Sequence, residues 1–147
     1  MIQLICDGEK QPFYATLNSA GFDVMSKESF MLKPQERKLV STGLRIVEAQ
    51  SFDLKELPVK LIPEIQIRPR SGLAFKYGIT VLNAPSTIDA DYRGEIKILL
   101  INHGQEDFFV QEGDRIAQAV CAAVFQAPGL AVQSVTRGEG GFGSTGR

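Results

Sequence analysis

The sequence of 147 residues predicts an all-β domain, a sandwich or a barrel, with one short helix. Three observations carry that expectation. Short apolar runs recur along the chain, several of them alternating with polar residues at the two-residue period of a half-buried strand. Glycine and proline punctuate these runs at regular intervals, as turns between many short strands require. Only one stretch, residues 70–78, carries both a helix start and a helix stop.

Met1 to Cys6 alternates weakly and fits a first strand. Asn18 to Asp23 is turn-rich, with an aromatic ring and a carboxylate at its end. Lys38 to Val47 fits a second strand, with Leu44 and Ile46 on one face and Arg45 and Val47 on the other. Glu48 to Pro63 has mixed polarity and two prolines, Pro58 and Pro63, and predicts a long surface loop. From Glu64 to Arg68 the alternation returns, with Ile65 and Ile67 inward and Gln66 and Arg68 outward. Ser71 then suits a helix N-cap, Leu73 and Ala74 favour the helix, and Gly78 stops it. Tyr77 to Leu82 and Ile96 to Ile101 read as two strands joined by a hairpin. Phe108 to Val110 and Ile116 to Phe125 add two more, with Gly113-Asp114 between them. From Arg137 the composition turns glycine-rich, dividing the chain into a domain over 1–136 and a tail over 137–147.

A chain of this length buries about 70% of its unfolded surface as one domain. Its net charge of −1 excludes a broad electrostatic footprint for nucleic acid or an anionic membrane. An anionic ligand must therefore be held by a local cluster. Cys6 and Cys121 lack metal-ligand spacing and read as free thiols of a reducing compartment. No signal-peptide pattern opens the chain and no apolar run approaches ~18 residues, so the expected location is the cytoplasm. His103, the single histidine, reads as a surface residue after a strand.

The chemistry gathers between Asn83 and Ile96. Two carboxylates, Asp89 and Asp91, stand beside Tyr92 and Arg93, closed by Gly94. A hairpin tip needs only turn residues, although a charged, solvated loop would look similar. Arg70-Ser71 at a helix start offers a site for an anion. Arg115 and Gln118 fall near the start of a strand. In the tail, glycines let successive N–H groups converge on phosphate oxygens, Ser144 and Thr145 add hydroxyls, and Arg137 adds a charged fork. Phe142, a lone ring among glycines, suits a lid over a flat ligand. Two carboxylates one residue apart are too few for a metal cage of protein oxygens.

Taken in order, five stretches resemble the motifs of the trimeric dUTPase family. They are Ala20-Gly21-Phe22-Asp23, Pro69 to Ala74, Asn83 to Ile96, Gly113 to Gln118, and Arg137 to Gly146. The resemblance spans almost the whole chain. Ser86 departs from it, standing where the family usually has glycine, and the Glu48–Pro63 loop is longer than usual.

The resemblance implies a distorted jelly-roll-like β-barrel that assembles as a homotrimer. It implies hydrolysis of dUTP to dUMP and pyrophosphate, which keeps uracil out of DNA and supplies dUMP for thymidylate synthesis. Mg²⁺ would be the cofactor, held through the substrate phosphates and water rather than by direct protein ligands. By the same resemblance, Asp89 is the general base. Arg70, Ser71, Gly72, Asn83, Ile88, Tyr92, Gln118, Arg137, Phe142, Gly143 and Ser144 bind substrate, while Asp23, Asp91 and Arg115 hold the motifs in register. Hairpin, phosphate motifs and tail of each site would come from different subunits. Two other readings remain at this point. A dCTP deaminase on the same fold would need its catalytic glutamate at Leu99, and a non-catalytic trimeric regulator would use its surface.

Overall fold

The computed structural model describes residues 2–7, 11–53, 60–127, 129–130 and 138–141. Eleven strands and one helix are present among them. β1 (Ile2–Cys6), β4 (Arg37–Ala49), β9 (Ile96–Asn102) and β7 (Ile79–Val81) form one antiparallel sheet in the order β1-β4-β9-β7. The second sheet runs β2 (Gly21–Met25), β11 (Arg115–Phe125), β6 (Lys60–Arg68) and β5 (Phe52–Asp53), with β8 (Ser86–Ile88) also paired to β6. A two-stranded ribbon joins β3 (Phe30–Leu32) to β10 (Phe108–Val110).

Both sheets send their apolar faces into one core. Val40, Leu44, Ile46, Ile98 and Leu100 come from the first, and Val24, Ile65, Ile67, Ala117 and Ala119 from the second. Ile65, Val24 and Leu100 have no exposed surface. Each such side chain contributes roughly 1.5–3 kcal/mol relative to exposure, whereas a solvent-facing ion pair such as Lys38–Glu28 is worth only about 0–1 kcal/mol. Burial, then, holds the sheets together. The alternation expected for Leu44 and Ile46, and for Ile65 and Ile67, holds in full.

Four local expectations need correction. Asn18 to Asp23 is not all turn: Gly21 opens β2, because the ladder to Ala119 and Val120 of β11 satisfies its backbone. Glu48 to Pro63 is not one loop, since β4 runs on to Ala49 and β6 starts at Lys60. Pro63 falls on β6 between the stretches paired to β5 and to β8, a place where a residue without an N–H is tolerated. Residues 54–59 of that loop lie outside the described residues.

The other two concern the helix and the hairpin. The helix α1 (Ser71–Tyr77) has Arg70, not Ser71, at its N-cap, with Arg70 extended at φ −87 and ψ 125. The Arg70 side chain is anchored on β2 and β11 as described below, and the helix starts at Ser71, one residue earlier than a Ser71 cap implies. Tyr77 belongs to this helix, and Gly78 ends it in the left-handed region at φ 70. β7 and β9 do pair, from Ile79↔Asn102 to Val81↔Leu100, but the stretch between them is no simple tip. It crosses to the second sheet, where Ser86, Thr87 and Ile88 lie opposite Ile67, Gln66 and Ile65.

Candidate active site

The crossing places the chemistry-bearing residues. With Ile88 fixed on β6, Asp89 emerges half-buried at the strand end, and its carbonyl accepts the Tyr92 N–H at 3.1 Å to close a turn. Asp91 is exposed at the apex of that turn. A pocket of about 250 Å³ opens beside it, lined by Asn83, Ser86, Ile88, Asp89, Tyr92 and Gly141, among others. Four of the expected residues, Asn83, Ile88, Asp89 and Tyr92, therefore share one cavity wall.

Tyr92 is locked from three sides. Its hydroxyl donates to the Glu95 carbonyl at 2.9 Å. Its ring lies so close over Gly94 that a Cβ there would sit 2.6 Å from Cζ, which is why the hairpin closes on glycine. Gly138 makes an isolated parallel bridge to Tyr92, and the Arg93 N–H donates to the Gly138 carbonyl at 2.8 Å. Burial raises the Tyr92 phenol above its ordinary value; Arg45 works against this, while Glu95 and Glu139 reinforce it.

A second cluster forms around Asp23. One carboxylate oxygen meets Arg70 Nε at 3.0 Å and the other meets Arg115 Nη1 at 3.0 Å. Arg70 also donates to the Arg115 carbonyl at 2.8 Å, and Gln118 Nε2 donates to the Pro69 carbonyl at 2.9 Å. Asp23 is only 14% exposed and Arg70 26%, against 48% for Arg115. The Arg70 arm is thus the less screened and the stronger of the two. Three of the five motifs meet here, within one chain. Ser71 and Gly72 are exposed beside the cluster, and no atom of the described chain lies within 4 Å of a Cβ built at Gly72. None of Arg70, Ser71, Gly72 or Gln118 lines the hairpin pocket.

Gly138 and Gly141, in the described part of the tail, lie against Tyr92 of the same chain. A glycine segment needs no apolar face for this, because a main-chain hydrogen bond suffices. Arg137, Phe142, Gly143 and Ser144 lie outside the described residues.

Sequence reasoning passed over Glu95. Its Oε1 accepts the Ser41 hydroxyl and the N–H groups of Thr42 at 3.1 Å and Gly43 at 2.8 Å. Burial pushes this carboxyl up, but the Ser41 hydroxyl and the two amides, with Lys97 adding to them, hold it below its ordinary value. No local signal marks these partners, which stand more than fifty positions away. A larger cleft of about 640 Å³, walled by Cys6, Asp7, Lys27 and Glu112, opens elsewhere and shares only Asp23 with the expected residues. The Cys6 thiol donates to the Thr42 carbonyl at 3.9 Å; burial raises both it and the Cys121 thiol, with Lys27 partly offsetting this at Cys6. His103 is exposed directly after β9, as expected. Among the described residues no three His, Cys, Asp or Glu side chains converge to hold a metal ion, and no helix is long and apolar enough to cross a membrane.

Comparison with known proteins gives the same direction. The dUTPase family model matches residues 9–146. The deoxyuridine 5'-triphosphate nucleotidohydrolase of Nautilia profundicola is 54% identical over 139 residues, covering 92% of this chain and 90% of that protein. Its counterpart from Wolinella succinogenes is 50% identical, covering 92% and 86%. Among solved structures, the dUTPase of Staphylococcus bacteriophage 80alpha with dUPNHPP superimposes with a TM-score of 0.73 at 22% identity, covering 100% of this chain and 99% of that one. A mutant dUTPase from phage phi11 of S. aureus, described with a structural Mg(II) ion, gives 0.68 at 20% identity, covering 92% and 98%. With half its residues shared with named relatives along nearly its full length, and a family model matched from 9 to 146, this chain belongs to the dUTPase family.

Proposed function

We propose that the protein is a dUTP diphosphatase, hydrolysing dUTP to dUMP and pyrophosphate and so limiting uracil in DNA while supplying dUMP. The observation that carries this reading is the pocket in which Asp89, Asn83, Ile88 and Tyr92 converge, in a chain about half identical to named dUTP nucleotidohydrolases. The uracil edge offers acceptor, donor, acceptor, a pattern that strand backbone and Asn83 match. A thymine methyl would press on that backbone. Forcing a methyl into yielding side chains costs only ~1–3 kcal/mol, so firm rejection is assigned to the stiffer main chain. Tyr92 packs under the deoxyribose, where a ribose 2′-hydroxyl would lose its water partner at about 1–3 kcal/mol.

Asp89 accepts the proton of the water that attacks the α-phosphorus, a role worth roughly 10²–10⁴-fold. Arg70, Ser71, Gly72 and Gln118 position the phosphates, with Asp23 and Arg115 keeping Arg70 in place and Asp91 supporting the turn. Arg137, Gly143 and Ser144 join them from the tail, and Phe142 closes over the base. Mg²⁺ would be held through the triphosphate and water, as membership of the dUTPase family suggests, and would supply charge neutralisation there.

The hairpin pocket and the Asp23 cluster have no residue in common, and Phe75, Phe125 and Leu130 are 91%, 63% and 76% exposed. Both features favour a homotrimer in which one subunit's hairpin faces another's phosphate cluster. Leu99, on β9 opposite Leu39, has no ionisable group with which to deaminate dCTP. A pyrophosphate-release assay with dUTP, UTP, dTTP and dCTP tests the assignment. Turnover of dUTP far above the others is expected; ammonia release from dCTP, or no turnover at all, overturns it.

A further inference from the structure

We infer that Glu95 is a positioning residue that sets sugar discrimination, by tying the Tyr92 hairpin to a bulge in β4. The inference rests on the function proposed above. Between Val40↔Ile98 and Leu44↔Ile96 the β4–β9 ladder breaks register. Ser41, Thr42 and Gly43 on β4 there stand opposite Lys97 alone, so their amides have no regular strand partners. The N–H groups of Thr42 and Gly43 converge on one point, and Gly43 takes φ +71 as the chain leaves the bulge. The Glu95 carboxylate occupies that point and accepts both amides together with the Ser41 hydroxyl. Thr42 Oγ1 donates to the next carbonyl, that of Ile96, so the Glu95 side chain and the Ile96 carbonyl are held by the same bulge.

The consequence falls on Tyr92. Its hydroxyl binds the Glu95 carbonyl, and its ring rests against Gly94. With residues 94–96 fixed by the bulge, the ring has one height above the pocket floor. Released, the peptide could swing and the ring would drop by a fraction of an ångström. Discrimination against a 2′-hydroxyl needs a surface that does not yield, since a ring that moves lets the hydroxyl keep a water. A carboxylate suits the position because acceptor-only oxygens match three converging donors. All three donors meet the single oxygen Oε1, so an amide oxygen in its place could take the same three, but without the charge that strengthens them.

The test compares kcat/KM for dUTP and UTP in the wild type, Glu95→Ala, Glu95→Gln and Tyr92→Phe, with thermal melting and oligomeric state measured alongside. Wild-type preference for dUTP must be seen first; its absence sinks the proposed function and this inference with it. Given that preference, Glu95→Ala should narrow the dUTP:UTP ratio about tenfold, with kcat/KM for UTP spared or raised relative to that for dUTP. Glu95→Gln should fall between Ala and wild type. Tyr92→Phe, which keeps the ring and removes only its bond to the Glu95 carbonyl, should narrow the ratio too, and combining it with Glu95→Ala should add little. Equal losses for both nucleotides would make Glu95 a plain structural brace and overturn the inference. Should Glu95→Ala fail to fold, Tyr92→Phe and Glu95→Gln decide: an unchanged ratio in both overturns it.

Discussion

At the scale of single residues, the site depends on carboxylates with different surroundings. Asp89 stands at the end of a strand on the pocket wall. Asp89→Asn keeps its shape and loses its basicity, so turnover should fall by about two orders of magnitude or more with near-normal dUTP affinity. Single-turnover kinetics and equilibrium binding check this, and turnover within a few-fold of wild type removes Asp89 from the role. Glu95 is held below its ordinary value of 4.5 by its three donors and Lys97. A depressed carboxyl stabilises the fold fully above its unfolded pKa and loses that contribution as pH falls through the folded one. Melting temperature should therefore drop on acidification below about pH 4.5 more steeply in wild type than in Glu95→Gln, which cannot titrate. The cationic side chains near this carboxylate are Lys97 on β9 and Lys27 over the bulge. Parallel melting curves for the two proteins would contradict it.

At the scale of elements, the β7–β9 connector is the informative one. It leaves the first sheet after Val81, pairs as β8 with β6, and returns as β9. This two-sheet anchoring gives the pocket a main-chain wall. Gly94→Ala should damage it at the edge of the core, because a Cβ would overlap the Tyr92 ring, which packs against that core. A fall in dUTP kcat/KM of roughly tenfold or more is expected, about the cost of displacing one packed side chain. The tail is the second such element. Removing residues 137–147 should leave the sheets folded, since none of the core side chains among the described residues lies there. Activity should collapse, as charge-assisted phosphate contacts of about 1.5–3 kcal/mol each disappear with it. An active truncated protein would reduce the tail to a loose end.

At the scale of the whole molecule, one chain holds two clusters that the proposed reaction needs together. Mixing Asp89→Asn chains with Arg70→Ala chains, each inactive alone, tests whether they meet across subunits. If hairpin and phosphate cluster come from different chains, roughly a quarter of reassembled sites are intact, and activity should return to about that fraction. A dead mixture containing verified heterotrimers means that each chain builds its own site. The same mixture made with tail-deleted chains decides whose hairpin the tail serves: its own leaves the mixture inactive, a neighbour's restores about a quarter.

Period-two alternation was enough to predict the inward faces of β4 and β6, because a strand's pleat writes burial directly into adjacent residues. The motif residues of the pocket and of the Asp23 cluster were also legible, since each motif is contiguous and its residue types suit one task. What the chain alone could not disclose depends on partners far away in sequence. Gly21 reads as a turn until β11 pairs with it, and Ser86–Ile88 reads as loop until β6 does. Arg70 reads as a residue before the helix cap until the fold makes it the cap and pairs its side chain with Asp23. Glu95, an ordinary charge beside a glycine, acquires its function from an amide bulge on β4. Local pattern determined which faces are buried and which residues can do chemistry; only the packing of distant strands decided where each of them stands, because hydrogen-bond and ion-pair partners are chosen in space and not along the chain.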